Sequence, residues 1–296
     1  MEILKLDALR ARKLHSKAQR LSEAGHDDEA LELYREAINL DPHRSATFYN
    51  IALIYKYRGQ WEKSLEFNER AFALNPDDEA TRWNMAIAAT ALRRWEVARK
   101  GWKACGFSVE ESAEPVELSM GPTPVRLNAD IDGEVVWTRR IDPVRAVIEN
   151  IPLPDSGFRF GDIVLHDGAP VGYREVDGRE YPVFNVLELF ERSLFKTFVV
   201  TVIAASDNQM EALHSECHKR GIRIEDWTAT VRNICKECSE GLPHEHHNHD
   251  QRSGLSEERR VGMSAKSVAE IEDVVAWCHK HNVVEIKNYN LALDIL

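Results

Sequence analysis

The chain has 296 residues, of which 43% are hydrophobic and 29% are charged, a composition typical of a soluble globular protein with two or three domains. Its formal net charge of −11 argues against non-specific binding to DNA or RNA, because such binding requires a protein to neutralise phosphates. We expect a cytoplasmic protein, since the sequence shows neither a signal-peptide core nor the run of about 20 apolar residues that a membrane helix needs.

The negative charge is concentrated in the second part of the sequence. Residues 1–112 contain 18 Lys and Arg and 18 Asp and Glu, whereas residues 113–296 contain 20 and 31. An acidic region of this kind would suit a basic protein partner, although acidic solvated surfaces are common.

A 34-residue period runs through the N-terminal third. Ala18, Ala52 and Ala86 keep this spacing, and so do Gly25 and Gly59, Ala37 and Ala71, and Pro42 and Pro76. Apolar residues recur at helical spacing between these positions, which predicts two amphipathic helices per unit with a glycine in the turn. The third unit has Arg93 at the glycine position and lacks a closing proline, as terminal repeats often do.

Residues 10–107 therefore resemble the tetratricopeptide repeat (TPR) family, in an all-α solenoid of about three units. The resemblance implies a concave groove that is lined by the first helix of each unit and that binds a peptide or a partner domain. It does not imply catalysis.

The groove positions differ from those of family members that hold a C-terminal carboxylate with Lys, Arg and Asn side chains. The corresponding positions here are His15, Gln19, Asn50, Ala80 and Asn84, and only Asn50 fits that pattern. The resemblance thus argues against a clamp for an acidic chain end, and the partner-binding candidates are Tyr49, Asn50, Leu53, Tyr57, Trp83, Asn84 and Ile87. Alternatively, these side chains pack between repeats, or the short array docks against the rest of the chain.

A linker and a β-rich domain are predicted to follow the repeats. Residues 108–124 are rich in acidic residues, Ser, Gly and Pro, which favours a linker. Residues 125–192 contain short Val-, Ile- and aromatic-rich segments separated by turn signals, which predicts a small antiparallel barrel or curled sheet. Three Asp-Gly pairs, at 132–133, 167–168 and 177–178, are typical of hairpin turns.

Two polar residues in the β-rich domain are catalytic candidates. In an alternating strand Asp162 and His166 would face the same side, as a histidine oriented by a carboxylate requires. The alternative is structural, because Gly-Asp before an apolar strand is also a common way to build a turn.

Residues 193–296 are predicted to form an α/β domain. A strand, a helix and a strand precede an insert, and a second helix and strand follow it, which favours a two-layer sandwich that is loosely ferredoxin-like.

The insert, residues 235–250, contains the most specific chemical pattern. Two cysteines and four histidines fall in this segment, namely Cys235, Cys238, His244, His246, His247 and His249. A Cys-x-x-Cys turn with nearby histidines can complete a tetrahedral zinc shell, so we expect zinc. The alternatives are adventitious metal binding by a flexible loop and a redox-active thiol pair.

A structural zinc ion is favoured over a catalytic one. Glu245 would be the carboxylate base of a catalytic site, but the segment lacks the helical HExxH spacing that directs both histidines to one ion. A structural ion would instead offset the ordering entropy of a long insert with little apolar surface.

Two classes of function follow from the sequence. The leading hypothesis is an adaptor, scaffold, inhibitor or immunity-type protein that binds a partner through the groove, the acidic second half, or both, and nothing in it demands catalysis. The alternative is a zinc-dependent hydrolase, or a metal- or redox-sensing regulator, that uses the Cys and His cluster.

Overall fold

The structure is a computed structural model that describes residues 2–129, 133–228 and 258–294. The chain divides into two compact units, Met1–Glu117 and Leu118–Leu296. None of the helices in the described ranges combines the length and apolar character that crossing a membrane requires.

The first unit is a row of three antiparallel helix pairs. Its helices are α1 (Glu2–Glu23), α2 (Asp27–Leu40), α3 (Ser45–Tyr57), α4 (Trp61–Leu74), α5 (Glu79–Ala91) and α6 (Trp95–Ala104). The predicted repeats are confirmed as a TPR-like helical region. Small residues allow the helices to approach closely, as where a Cβ built on Gly101 would lie 2.8 Å from the Cβ of Ala86.

The turn inside each helix pair has the same backbone conformation. Gly25 and Gly59 have φ angles of 82° and 64°, in the left-handed region that glycine enters without strain. Arg93 replaces the glycine in the third pair and still has a φ of 55°. The repeat geometry therefore imposes this conformation even where the residue disfavours it.

The second unit begins with a five-stranded barrel. Its strands are β1 (Gly121–Arg126), β2 (Val135–Arg140), β3 (Arg145–Ile148), β4 (Ile163–Val176) and β5 (Arg179–Glu191). Neighbouring strands pair antiparallel along the chain, and β1 also pairs parallel with β5 at Val125 and Arg126, which closes the barrel.

Two local predictions differ from the observed barrel. The first strand begins at Gly121, so the last four residues assigned to the linker belong to it. Pro122 and Pro124 fit because β1 pairs with β5 only further along. The hairpin turn predicted at 167–168 is wrong, since these residues form an irregularity inside β4, where the Asp167 side chain accepts the N–H of Gly168 at 2.7 Å.

The turn predicted at 177–178 is confirmed. Asp177 and Gly178 join β4 to β5 and have φ angles of 51° and 73°. Both angles are positive, as the preferred two-residue hairpin turn requires.

The barrel is followed by a four-stranded antiparallel sheet with two helices on one face. Its elements are β6 (Lys196–Ile203), α7 (Asp207–Lys219), β7 (Arg223–Asp226), β8 (Glu258–Ala265), α8 (Val268–His281) and β9 (Glu285–Leu293). The strand order β7-β8-β6-β9, with all neighbours antiparallel, is that of a ferredoxin-like fold.

The barrel and the sheet are joined within the second unit. The indole Nε1 of Trp227 donates to the carbonyl of Ile151 at 3.0 Å, and the carboxylate of Glu225 accepts from Asn150 at 2.8 Å and from the N–H of Ile151 at 2.7 Å. These contacts connect the strand β7 and the residues after it to the segment that follows β3.

Candidate functional site

A cleft of about 380 Å³ lies on the first repeat and its neighbour. Helix α1 and the start of α2 form one wall, and α3 forms the other. We call this the acidic cleft, and its lining residues are Gln19, Ser22, Glu23, Asp27, Tyr34, Asn50, Leu53, Ile54 and Tyr57.

Helical spacing brings the α3 wall to one side. Asn50, Leu53 and Tyr57 lie three and four residues apart, which places their side chains on one face of the helix. Tyr57 is 64% exposed and Leu53 is half-buried, so the wall offers apolar surface to a ligand.

The base of the acidic cleft is buried, hydrogen-bonded and neutral. Tyr34 is buried, and its hydroxyl accepts a hydrogen bond from the Asn50 amide at 3.0 Å. Behind it His15 packs on the Tyr34 ring with centroids 5.4 Å apart and makes a 3.1 Å hydrogen bond to Thr47. Burial and, to a smaller extent, the charge of Arg44 together lower the pKa of His15 to about 4, so this imidazole is uncharged at pH 7.

Carboxylates set the charge of the acidic cleft. Among its lining residues Glu23 and Asp27 are negative, and none is a lysine or an arginine. Their effect is visible at Tyr34, whose pKa is raised by burial, lowered by the Asn50 hydrogen bond, and raised again by these two carboxylates.

The two carboxylates are held differently. The Asp27 side chain accepts from Ser22 at 2.8 Å and lies 3.7 Å from the guanidinium of Arg58. Glu23 is exposed and accepts from the Gln19 amide at 3.0 Å. Within the described part of the chain Glu23 forms no ion pair, which leaves its charge available to a ligand.

The remaining groove candidates take part in packing inside the repeats. Asn84 accepts from the buried Lys56 ammonium at 2.8 Å and donates to the Tyr49 hydroxyl at 3.4 Å. Trp83 packs edge-on against Trp102, with centroids 5.2 Å apart, and against Phe107, and Ile87 is only 1% exposed. Of the seven candidates, Asn50, Leu53 and Tyr57 line the cleft.

Sequence reasoning missed the two carboxylates because the groove was compared only with a Lys, Arg and Asn pattern. The run from Glu23 to Glu29, with four acidic residues around the α1–α2 turn, is the signal that was available.

The two catalytic candidates of the barrel, Asp162 and His166, have different hydrogen-bond partners. Asp162 is fully buried, and its carboxylate accepts from Arg192 at 2.7 Å and from the N–H groups of Ser193 and Arg159 at 2.8 and 2.9 Å. His166 instead bonds the Asp167 carbonyl at 2.7 Å and stacks on Phe184 at 5.0 Å. Asp162 therefore hydrogen-bonds to backbone N–H groups and to Arg192, and it does not orient the imidazole of His166.

The predicted zinc ligands in 235–250, and Glu245 with them, lie outside the described residues. Within residues 2–129, 133–228 and 258–294, no group of three or more His, Cys, Asp or Glu side chains is placed to hold a metal ion. On α7 and α8, burial raises the pKa of Cys217 to about 12 and that of Cys278 to about 11, which keeps both thiols protonated and unreactive.

No family model and no curated protein matches the sequence. Among solved structures, the first TPR of Spaghetti (RPAP3) bound to HSP90 peptide SRMEEVD is 23% identical, with 33% of this chain and 78% of that chain covered and a TM-score of 0.32. The second TPR of the same protein, bound to the same peptide, is 18% identical, with 38% and 94% covered and a TM-score of 0.34. The Arabidopsis OM64 TPR domain is 14% identical, with 33% and 82% covered and a TM-score of 0.32.

Proposed function

We propose that this chain is a protein-interaction module whose acidic cleft binds a cationic segment of a partner protein. The observation that carries the proposal is the charge of the lining, where Glu23 and Asp27 are present without a lysine or arginine. A lysine or arginine entering the cleft would meet both carboxylates, while Leu53 and Tyr57 would cover its alkyl chain.

The same lining disfavours an acidic chain end. A carboxylate in the cleft would face Glu23 and Asp27. The donors in the lining are all uncharged: the amides of Gln19 and Asn50 and the hydroxyls of Ser22, Tyr34 and Tyr57. The peptide SRMEEVD, which the two RPAP3 domains bind, carries its negative charges at its end, so we expect this chain to reject it.

The test compares two labelled peptides of equal length and equal apolar content, one with lysines and one with glutamates, titrated into the full chain. We expect the basic peptide to bind and the acidic peptide to show no saturable binding. Glu23→Gln should weaken the basic peptide about 3- to 10-fold, the effect of removing one partly exposed charge pair.

A matched control separates the cleft from general electrostatics. Glu36 lies on α2, is exposed, and is not part of the cleft lining, so Glu36→Gln changes the net charge by the same amount. The control should leave the affinity within about 2-fold of the wild type. Equal losses in both variants, or tighter binding of the acidic peptide, would contradict the proposal.

A structural zinc ion in residues 235–250 is a second proposal, and its support is the Cys and His spacing of the sequence. Elemental analysis of the full chain after long dialysis should find about one zinc per chain, and Cys235→Ser with Cys238→Ser should remove it. A metal-free wild-type protein would refute the proposal. Metal-dependent hydrolysis lost on Glu245→Gln would favour the alternative of a catalytic ion.

A further inference from the structure

Arg58 contacts the acidic cleft from outside its lining. It directly follows the last residue of α3, and its backbone N–H donates to the carbonyl of Ile54 at 3.1 Å. Its side chain extends to the start of α2, where Nη1 lies 2.7 Å from Asp28 and Nε lies 3.7 Å from Asp27. Within the described ranges no other lysine or arginine pairs with Glu23 or Asp27, the two carboxylates of the lining.

The two ion pairs of Arg58 differ in geometry and in exposure. Nη1 donates a full hydrogen bond to Asp28, whereas the distance from Nε to Asp27 is too long for one. The hydrogen bond to Asp28 is the largest cause of the raised pKa of Arg58, and the charge of Asp27 is a smaller one. The side chain of Asp28 is 87% exposed and that of Asp27 is 29% exposed. The guanidinium is therefore held mainly by the carboxylate that lies outside the cleft lining.

The two carboxylate oxygens of Asp27 have separate surroundings. Oδ1 accepts a hydrogen bond from the Ser22 hydroxyl at 2.8 Å. Oδ2 faces Nε of Arg58 and, in the part of the chain that the structure describes, accepts no hydrogen bond while remaining accessible to solvent. A lysine or arginine that enters the cleft would approach this same oxygen, because Oδ1 is already engaged.

We propose that Arg58 competes with the cationic side chain of the partner for Asp27, and that Asp28 limits this competition by holding the guanidinium, a role that rests on the proposed function of the acidic cleft. A cation of the partner that approaches Oδ2 is repelled by Arg58, which lowers its affinity. If Asp28 loses its charge, the guanidinium can close the remaining distance to Asp27. The lower exposure of Asp27 favours that pair, because water and salt screen it less.

The competition distinguishes the two carboxylates of the acidic cleft. Glu23 has no ion pair within the described residues and is open to the partner at no cost, whereas Asp27 must be shared with Arg58. The affinity of the cleft is thus set by a third residue that does not line it.

The first test removes the competitor. The affinity of the labelled basic peptide for the full chain is measured by titration at about 50 mM salt, where charge pairs are screened least. Arg58→Gln should bind the peptide about 3- to 10-fold more tightly than the wild type. Lys17→Gln removes the same charge from an exposed position of α1 outside the cleft lining, and it should stay within about 2-fold of the wild type.

The second test uses the coupling between Arg58 and Asp28. Asp28→Asn should weaken the peptide about 3-fold, because it releases the guanidinium toward Asp27. In the Arg58→Gln background the same substitution should change the affinity by less than about 1.5-fold, since no guanidinium is left to release. Helical circular dichroism checks that each variant keeps its fold, as expected for changes at surface pairs.

The outcomes separate the competition from the cleft itself. Arg58→Gln binding no tighter than the wild type, or equal losses from Asp28→Asn in both backgrounds, would overturn the competition and leave the proposed function standing. No saturable binding of the basic peptide, either by the wild type or by Arg58→Gln, would refute the proposed function and the competition together.

Discussion

Buried polar side chains of the barrel stabilise the fold by hydrogen-bonding to neighbouring segments. Asp162 shows this most clearly. Its two carboxylate oxygens accept hydrogen bonds from the Arg192 guanidinium and from the backbone N–H groups of Ser193 and Arg159, so they connect the segment near residue 160 to the segment near residue 192. Removing the carboxylate takes this acceptor from the N–H groups of Ser193 and Arg159, whereas the exposed Arg192 keeps its hydrogen bond to the carbonyl of Gly157. The cost of leaving the backbone donors without an acceptor exceeds the value of any one bond.

Replacing Asp162 by alanine should therefore lower the free energy of unfolding by about 2 to 4 kcal/mol. Urea denaturation of the full chain checks this value. The control is Glu149→Ala, which breaks the exposed 3.0 Å ion pair with Arg139 and should cost less than about 1 kcal/mol. Similar losses in the two variants would contradict a structural role for Asp162.

His166 makes the stability of the second unit depend on pH. Burial lowers its pKa to about 4, with a smaller opposing effect from the hydrogen bond to Asp167, whereas an unfolded histidine has a pKa of about 6.5. Between these values the unfolded chain binds a proton that the folded chain does not, so the free energy of unfolding falls as the pH falls through this range.

Lowering the pH from 7 to 5 should thus cost about 2 kcal/mol through His166 alone. Denaturation curves at the two pH values, for the wild type and for His166→Gln, isolate this contribution from those of other groups. The variant should show a pH dependence that is weaker by that amount. A difference of zero would mean that His166 is not a buried neutral imidazole.

At the scale of elements, the repeats depend on close helix contacts. Gly101 on α6 faces Ala86 on α5 with no room for a side chain. Overpacking at such a contact forces the two helices apart.

Gly101→Val should lower the free energy of unfolding by about 1 to 3 kcal/mol, despite the better helix propensity of valine over glycine. Helical circular dichroism during thermal unfolding reports the change. Lys100→Val places the same residue at an exposed position of the same helix and should change stability by less than about 1 kcal/mol. A stabilised Gly101→Val variant would contradict the packing argument.

The sequence was most informative where local chemistry and fold agree. Gly25 and Gly59 located the turns between the helices of the first two pairs, and their 34-residue spacing located the third turn at Arg93. The conformational preference of arginine alone would not predict a positive φ angle there. The same kind of signal misled at Asp167 and Gly168, because an Asp-Gly pair also suits an irregularity inside a long strand.

Strand β8 was missed for a different reason. Its apolar residues Val261, Met263 and Ala265 alternate with Arg260, Gly262 and Ser264, and this short alternation follows a polar run. The side chain that covers Gly262 is Trp227, more than 30 residues earlier in the chain, and a pattern search along the chain does not reveal such a contact.

At the scale of the whole molecule, charge is distributed unevenly between the two parts of the sequence and also within the first part. Residues 1–112 are neutral in sum and yet present the acidic cleft, while residues 113–296 carry the entire net charge of −11. The cleft could not be predicted from the net charge or from the repeat pattern, because its carboxylates lie at the end of one helix and the start of the next.

This charge distribution should make association with a basic peptide depend on salt. Raising the NaCl concentration from about 50 mM to about 500 mM shortens the Debye length from roughly 14 Å to roughly 4 Å, so long-range attraction is lost. Stopped-flow fluorescence should show an association rate that falls at least 10-fold, with a smaller change in the dissociation rate. A salt-independent association rate would argue for an uncharged ligand.

The acidic cleft is tested most directly by reversing its charge. The ratio of affinities for the basic and the acidic peptide is measured for the wild-type full chain and for Glu23→Lys, with Glu36→Lys as the control. We predict that the wild type and the control prefer the basic peptide at least about 10-fold, and that Glu23→Lys abolishes or inverts this preference. A preference for the acidic peptide in the wild type, or the same ratio in all three proteins, would contradict the account.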